Sequence, residues 1–387
     1  MRSAAVAVIG GGVMGASAAY HLAARGQRDV VILDRGERAG TGSTGRATGG
    51  FRAQYGTAIN VRLSLLARDL LRRFEADTGV DPGYHPAGYL WLAVTPGELA
   101  SLQAGQRVQQ AEGLTEAVTV TPDDVARLNP ALRLEGIVGG TFCPSDGFLR
   151  PLAILDGYLR AASRLGARIE WETEVTGLTR GRGGRIDTVE TSRGAVAVDA
   201  VVNAAGAWAA RVGDLAGVEV PVTPVRRQIA VTAPTDALPA GMPMTIWAGD
   251  GFHLRVRDGR VLLLWPTPGV PGRPYDDSVD GGWIDAVTAM AHARVPALRA
   301  VPVDRAGSWG GLYEMSPDKH AILGAQPTCP NLFCINGASG HGVMHAPALG
   351  RLLAEIMCDG HASTLDVRSL EPGRFDRGES IPVAELL

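Results

Sequence analysis

The sequence predicts an α/β fold of two interleaved domains, one wound on strand–turn–helix units and the other a mostly antiparallel β-sheet. Three observations predict it. A strand, a glycine turn, a small-residue helix, a second strand and an acid follow one another over Ala4–Asp34. A strand that runs into a small-residue turn and a helix recurs at 200–215 and again at 331–357. Between these, from Pro221 to Trp309, short β-like runs are punctuated by prolines. A chain of 387 residues is also too long for one ordinary core.

Ala4-Ala5-Val6-Ala7-Val8-Ile9 is an apolar run long enough for one buried strand. Gly10, Gly12 and Gly15 follow at G-x-G-x-x-G spacing, and a helix pattern from Ala16 to Arg25 is closed by Gly26. Val30-Val31-Ile32-Leu33 then ends in Asp34. In this order the parts form a dinucleotide-binding fingerprint in its required setting. Gly10 permits the tight turn, Gly12 lets backbone approach a pyrophosphate, and Gly15 lets the helix lie close to the sheet. The helix N-terminus offers N–H groups and the positive end of its dipole. Asp34 suits a ribose 2′-OH and repels a 2′-phosphate. The fingerprint does not separate FAD from NAD.

The glycine-rich stretch 40–50 lets backbone crowd a ligand, and Arg46 and Arg52 flank its end. Arg52, between Phe51 and Tyr55, is a candidate carboxylate clamp or a surface arginine. Thr57–Glu75 reads as a helix, with Ile59, Leu63, Leu66, Leu70 and Phe74 on one face. Gly88–Val94 reads as a strand and Glu98–Glu112 as a helix. Thr121-Pro122-Asp123-Asp124 is a helix start. Leu134–Cys143 is strand-like, and Thr95–Gly140 is a candidate inserted domain. Pro151–Leu165 is a helix and Ala167–Trp171 a strand, while Arg185–Ser192 and Ala195–Val202 form a hairpin. Asn203-Ala204-Ala205-Gly206-Ala207-Trp208 then offers a second close backbone turn. Val225–Val231, Phe252–Val256 and Val261–Leu264 are strands, with a helix over Trp283–Val295. His253 and Arg255 alternate, so they share one face of the sheet.

Composition narrows the function. The formal net charge of −3 leaves no electrostatic footprint for nucleic acid, which disfavours a tRNA-modifying protein. No apolar run approaches the roughly 20 residues of a membrane span. The first apolar run enters the glycine turn directly, unlike a signal peptide, so a cytoplasmic protein is expected. Cys143, Cys329, Cys334 and Cys358 lack metal-binding spacing and read as reduced thiols. His341 and His345 are four apart, but His341 lies before the helix, which argues against a metal pair.

The tail decides between cofactors. Strand 331–336, loop Gly337-Ala338-Ser339-Gly340-His341-Gly342 and helix Ala346–Met357 place a third turn and helix start at the far end of the chain. Such a helix start stabilises negative charge on a reduced flavin, a task NAD enzymes lack. FAD is therefore expected, and an NAD-dependent dehydrogenase is the outside reading.

The motifs Gly10-x-Gly12-x-x-Gly15 with Asp34, Gly42-Ser43-Thr44, 203–208, 312–318 and 339–347 together resemble the D-amino-acid oxidase/sarcosine oxidase family of flavoproteins. The resemblance runs nearly the whole chain. Glycine oxidase, the sarcosine oxidase β-subunit and the β-subunit of dye-linked L-proline dehydrogenase make the most similar branch. It implies a two-domain flavoprotein, with a Rossmann-like FAD domain of the p-hydroxybenzoate hydroxylase type over 1–87, 145–220 and 310–387. The substrate domain then takes 88–144 and 221–309. The implied reaction oxidises a C–N bond of an amino acid or N-alkyl amino acid by hydride transfer to flavin N5, and the imine hydrolyses. Oxygen or another acceptor takes the electrons, in a self-sufficient enzyme, a homo-oligomer or a flavin-carrying subunit of a larger complex. Expected FAD contacts are Gly10, Gly12, Val13, Met14, Gly15, Asp34, Arg35, Gly42, Ser43, Thr44, Arg46, Gly49, Gly50, Val175, Ala205, Gly206, Trp208, Gly311, Gly340, His341, Gly342, Val343 and Met344. Arg52 matches the substrate-carboxylate arginine and Tyr313 an active-site tyrosine.

Departures sharpen the expectation. Relatives that bind FAD covalently use a Cys where this chain has Gly311, or a His where it has Arg46, so FAD is expected to be held non-covalently. A family lysine over the flavin, which assists oxygen reduction, is absent from 261–264, favouring a dehydrogenase. A second lysine, for the carboxylate, is replaced by Met344; Arg255 is the candidate substitute, and His253 the candidate contact to the amine.

Overall fold

A computed structural model describes residues 2–267 and 273–382. Two eight-stranded sheets organise them. At the centre of the first, Arg2–Ile9 pairs in parallel with Val30–Leu33 on one side and Val196–Asn203 on the other. Arg168–Glu170 and Cys329–Asn336 extend the parallel array outwards. Val6, Val8, Val30 and Ile32 are buried against the helices Val13–Ala24 and Gly342–Asp359. Ala7, Val31 and Val201 are buried on the opposite face with Val212 and Val222. Burial on both faces explains why these strands are continuously apolar in sequence. Small residues let the two helices meet closely: Ser17 Oγ donates to the Ala346 carbonyl at 2.7 Å. Antiparallel strands complete the edges, with Ile186–Thr191 pairing Val196–Asn203 as the expected hairpin.

The second sheet runs in the order Val303–Met315, Thr223–Thr232, Arg260–Leu264, His253–Arg257, Met244–Trp247, Tyr89–Ala93, Gly139–Cys143 and Val118–Val120. One face buries Leu90, Leu92, Ala230, Leu254 and Leu263 against Trp283, Ile284 and Val287 of the helix Gly281–Arg294. The other carries a row of cross-strand partners: Trp91, Ile246, His253, Leu264, Ile229 and Trp309. The two-residue period of a strand sorts the faces. The second face looks towards the glycine turns of the first sheet.

Several expectations change. Thr95–Gly140 is no separate unit, because Val118–Val120 and Gly139–Cys143 join the second sheet. The expected boundary between 309 and 310 falls inside the unbroken strand Val303–Met315. The helix expected over 57–75 is interrupted at Arg73, giving Ala58–Arg72 and Phe74–Thr78. The strand expected from Leu134 begins only at Gly139, where partners on Tyr89–Ala93 are available. Among the described residues, no helix is long and apolar enough to cross a membrane.

Candidate active site

Three backbone turns, far apart in sequence, line one cavity of ≈ 810 Å³: 10–14, 204–208 and 339–344. This is near the top of the usual range for ligand pockets, about 300–1,000 Å³. Gly10 has φ +110, and a Cβ there would sit 2.4 Å from the Ala204 carbonyl oxygen, so the first two turns touch. Gly340 has φ +95, and its Cβ would meet the Tyr313 ring at 2.4 Å. The helices Val13–Ala24 and Gly342–Asp359 both start at this cavity without a side-chain cap from Gly12 or His341. Apart from Val13, whose N–H donates to Thr44 Oγ1, the N–H groups of their first turns are thus available to anions and carbonyl oxygens. Asp34 accepts from the N–H groups of Gly11 (2.6 Å) and Gly36 (2.7 Å), and Thr44 Oγ1 accepts from Val13 (3.1 Å).

Every expected FAD contact except Gly15 lines this cavity. Gly15 acts one layer back: its Cβ would fall 1.9 Å from the Gly10 carbonyl oxygen. Arg46 and Gly311, the two positions at which the resemblance would place a covalent link, come together, with a Cβ on Gly311 only 3.3 Å from Arg46 Cβ. Arg46 is engaged in an ion pair with Asp277. Neither residue is a nucleophile.

The second sheet closes the other side with Tyr313, Ile229, Leu264, His253, Ile246 and Tyr89. Arg52 is 6% exposed and borders the cavity, 3.2 Å from His341 Nε2 and with its guanidinium 4.4 Å from the Tyr55 ring centroid. Burial, then the Arg52 charge, holds His341 well below its usual pKa. Burial also lowers His253 to about 4. His253 Nδ1 lies 2.7 Å from the Gly251 carbonyl, to which it can only donate. The neutral ring therefore keeps its Nε2 lone pair for an N–H or O–H group. Burial pushes the Tyr313 phenol up, with Arg227 and Arg52 opposing.

Arg255 corrects the expectation. It shares the His253 face but lies two residues further along, beneath the loop. Its Nη1 donates to the carbonyls of Thr48 (2.8 Å) and Gly49 (3.1 Å), and it stacks 3.6 Å over the Phe148 centroid. It shapes the loop and is absent from the cavity lining. His345 is buried, with Nε2 2.8 Å from Ser64 Oγ.

Sequence reasoning missed three groups. Asp146 is fully buried and accepts from Ala53 N–H (2.7 Å) and Gln54 Nε2 (3.2 Å), fixing the backbone beside Arg52. It sits in a turn-like Pro-Ser-Asp-Gly run that carries no signal of this role. Asp146→Ala strands the Ala53 N–H, at a cost of about 1–3 kcal/mol. Thermal unfolding of the FAD-loaded variant is expected to show that loss, and Asp146→Asn, which keeps one acceptor, a smaller one. Arg227 also lines the cavity, in step with Ile229 on its strand, so alternation could have found it. Glu314 lines it too; burial raises its carboxyl to about 7.

The cradle fits a dinucleotide. Uncapped helix starts suit phosphate and carbonyl oxygens, and buried Glu314 Oε2 has no hydrogen-bond partner among the described residues, so a ligand hydroxyl suits it. A dinucleotide cradle opening on an arginine-bearing pocket with neutral histidines marks a cofactor-dependent oxidoreductase. The chain belongs to the FAD dependent oxidoreductase family (DAO), whose model matches residues 5–356. It is 30% identical over 361 residues to glycine oxidase of Geobacillus kaustophilus, covering 91% of this chain and 92% of that protein. It is 30% identical over 390 residues to mitochondrial dimethylglycine dehydrogenase of Mus musculus, covering 96% of this chain but only 44% of that protein. The chain thus spans under half the length of that relative. L-proline dehydrogenase from P. horikoshii superposes with TM-score 0.90 at 27% identity, covering 98% of this chain and 100% of that one.

Proposed function

We propose that the chain oxidises the C–N bond of an amino acid or N-alkyl amino acid, with FAD held non-covalently between the two sheets. One observation carries this reading: the three turns and Arg52 border a single cavity. Relatives named for oxidation of glycine, dimethylglycine and proline support the substrate class. The first sheet with its helices serves as the FAD domain and the second sheet as the substrate domain, the last boundary moving to the end of Val303–Met315. FAD supplies the acceptor for the hydride when bound.

The chain's own residues hold the substrate. The guanidinium of Arg52 takes the carboxylate, Tyr313 covers it, and His253 Nε2 accepts a hydrogen bond from the amine. Neutral His253 and His341 add no positive charge against loss of hydride. Loss of hydride from the carbon beside nitrogen leaves an iminium ion; water adds to that carbon, the C–N bond breaks to give a carbonyl compound and an amine, and the proton released goes to solvent. Strand Arg260–Leu264 presents Leu264 to the cavity and has no lysine. That supports an acceptor other than oxygen. The four free cysteines suit a reducing compartment such as the cytoplasm.

Anaerobic mixing with a panel of amino acids and N-methyl amino acids tests the reading. Bleaching of the flavin by at least one of them is expected, with faster reoxidation by a dye than by air. A flavin that no member bleaches contradicts it. Acid precipitation is expected to release the flavin into the supernatant; flavin retained in the pellet would reveal a covalent bond.

A further inference from the structure

We propose that the substrate is an amine bearing two carboxylates, one held by Arg52 and the other by Arg227. The inference rests on the reading of the cavity as an amine-oxidising site.

Arg227 lies on the strand Thr223–Thr232 opposite Gly311, and the neighbouring partners are Val225 with Tyr313 and Ile229 with Trp309. Cross-strand partners and residues two apart share a face, so Arg227 stands on the Tyr313 side and lines the cavity. Its guanidinium is 5.5 Å from the Tyr313 ring centroid. Nη1 donates to the carbonyls of Arg226 (3.2 Å) and Thr267 (3.0 Å), which fix the fork in place.

What Arg227 lacks is an acid. The adjacent Arg226 pairs with Asp276 and Arg260 with Asp304, while Arg255 and Arg257 of the same sheet are held by loop carbonyls. Among the described residues, no Asp or Glu forms an ion pair with Arg227. Burial disfavours its charge, and only the Tyr313 phenol opposes that. A half-buried cation without a counter-ion, aimed into a ligand cavity, is stabilised when an anion arrives. The FAD phosphates are not that anion, since their seat is the glycine turn on the first sheet, while Arg227 is on the second. Arg227 stands beside the Tyr313 ring and Arg52 borders the same cavity, so both cations face one space. A secondary amine with a carboxylate on each arm spans such a pair, and a substrate with one carboxylate leaves Arg227 unanswered.

The test uses FAD-loaded wild type and Arg227→Gln, with flavin content and melting temperature checking that the variant folds. Thiodiacetate and methylthioacetate carry two and one carboxylates and replace the amine by sulfur, so they bind without reacting. Both are titrated against the visible spectrum of the flavin. Wild type is expected to bind thiodiacetate about tenfold tighter or more than methylthioacetate, the scale of one charge-assisted hydrogen bond. Arg227→Gln is expected to abolish that preference and leave methylthioacetate unchanged. Anaerobic bleaching by iminodiacetate and sarcosine should follow the same pattern. Equal binding of the two thioethers to wild type, or a preference that survives in Arg227→Gln, overturns the proposal. If the thioethers bind as expected and no amine bleaches the flavin, the amine-oxidising reading fails instead, and with it the substrate named here.

Discussion

Arg52→Met is expected to weaken substrate binding by about 2–5 kcal/mol, roughly 30-fold to 4,000-fold, while FAD content stays at the wild-type level. The size follows from burial. Arg52 is 6% exposed, packed on Tyr55 and Trp91, and beside a His341 that burial keeps neutral. A carboxylate arriving there leaves water, and only a guanidinium already in place offsets that loss. Arg52→Lys should recover part of the affinity, since it restores the charge without the planar fork. The apparent dissociation constant from anaerobic flavin reduction checks both variants. Binding unchanged in Arg52→Met would remove this residue from the substrate site.

Gly10→Ala is the complementary loss, aimed at the cofactor. Its φ of +110 disfavours any side chain, and the added Cβ would sit 2.4 Å from the Ala204 carbonyl oxygen and 2.8 Å from its carbon. These are backbone atoms of the second turn and cannot rotate away. Relief requires the two turns to separate, and the pyrophosphate seat opens with them. The combined strain is on the order of 3 kcal/mol, or about 100-fold in FAD affinity. Flavin content after purification and the melting temperature with added FAD measure it. Full flavin retention would mean that the two turns tolerate separation.

Most of this arrangement was legible in the chain. The first turn, its helix and Asp34 are contiguous, so local spacing carries the whole message. The turns at 204–208 and 339–344 were readable as repeats of the same strand–turn–helix grammar, although their convergence is a tertiary fact. Arg52, which borders the cavity, stood out through its aromatic neighbours and the resemblance. Arg255 misled because alternation fixes a face and says nothing of how far along the face a cavity extends. Asp146 was silent because its partners, the Ala53 N–H and the Gln54 amide, are about ninety residues away in the chain. Arg227 lay in a run of two arginines, and only the cross-strand register separates the one paired with Asp276 from the one facing the cavity. The edge set at 309 falls within the thirteen-residue strand Val303–Met315, whose cross-strand pairing is not visible in local sequence.

The claim on which all of this depends is that the amino-terminal, central and carboxy-terminal turns hold one FAD against the Arg52 pocket. Titration of the flavin-free chain with FAD, followed by quenching of flavin fluorescence, measures it most directly. The account predicts saturation at one FAD per chain, no competition by NAD, and a spectral change when a carboxylate ligand is then added to the wild type but not to Arg52→Met. Saturable binding of NAD in place of FAD, or a flavin whose spectrum ignores every carboxylate, would contradict it.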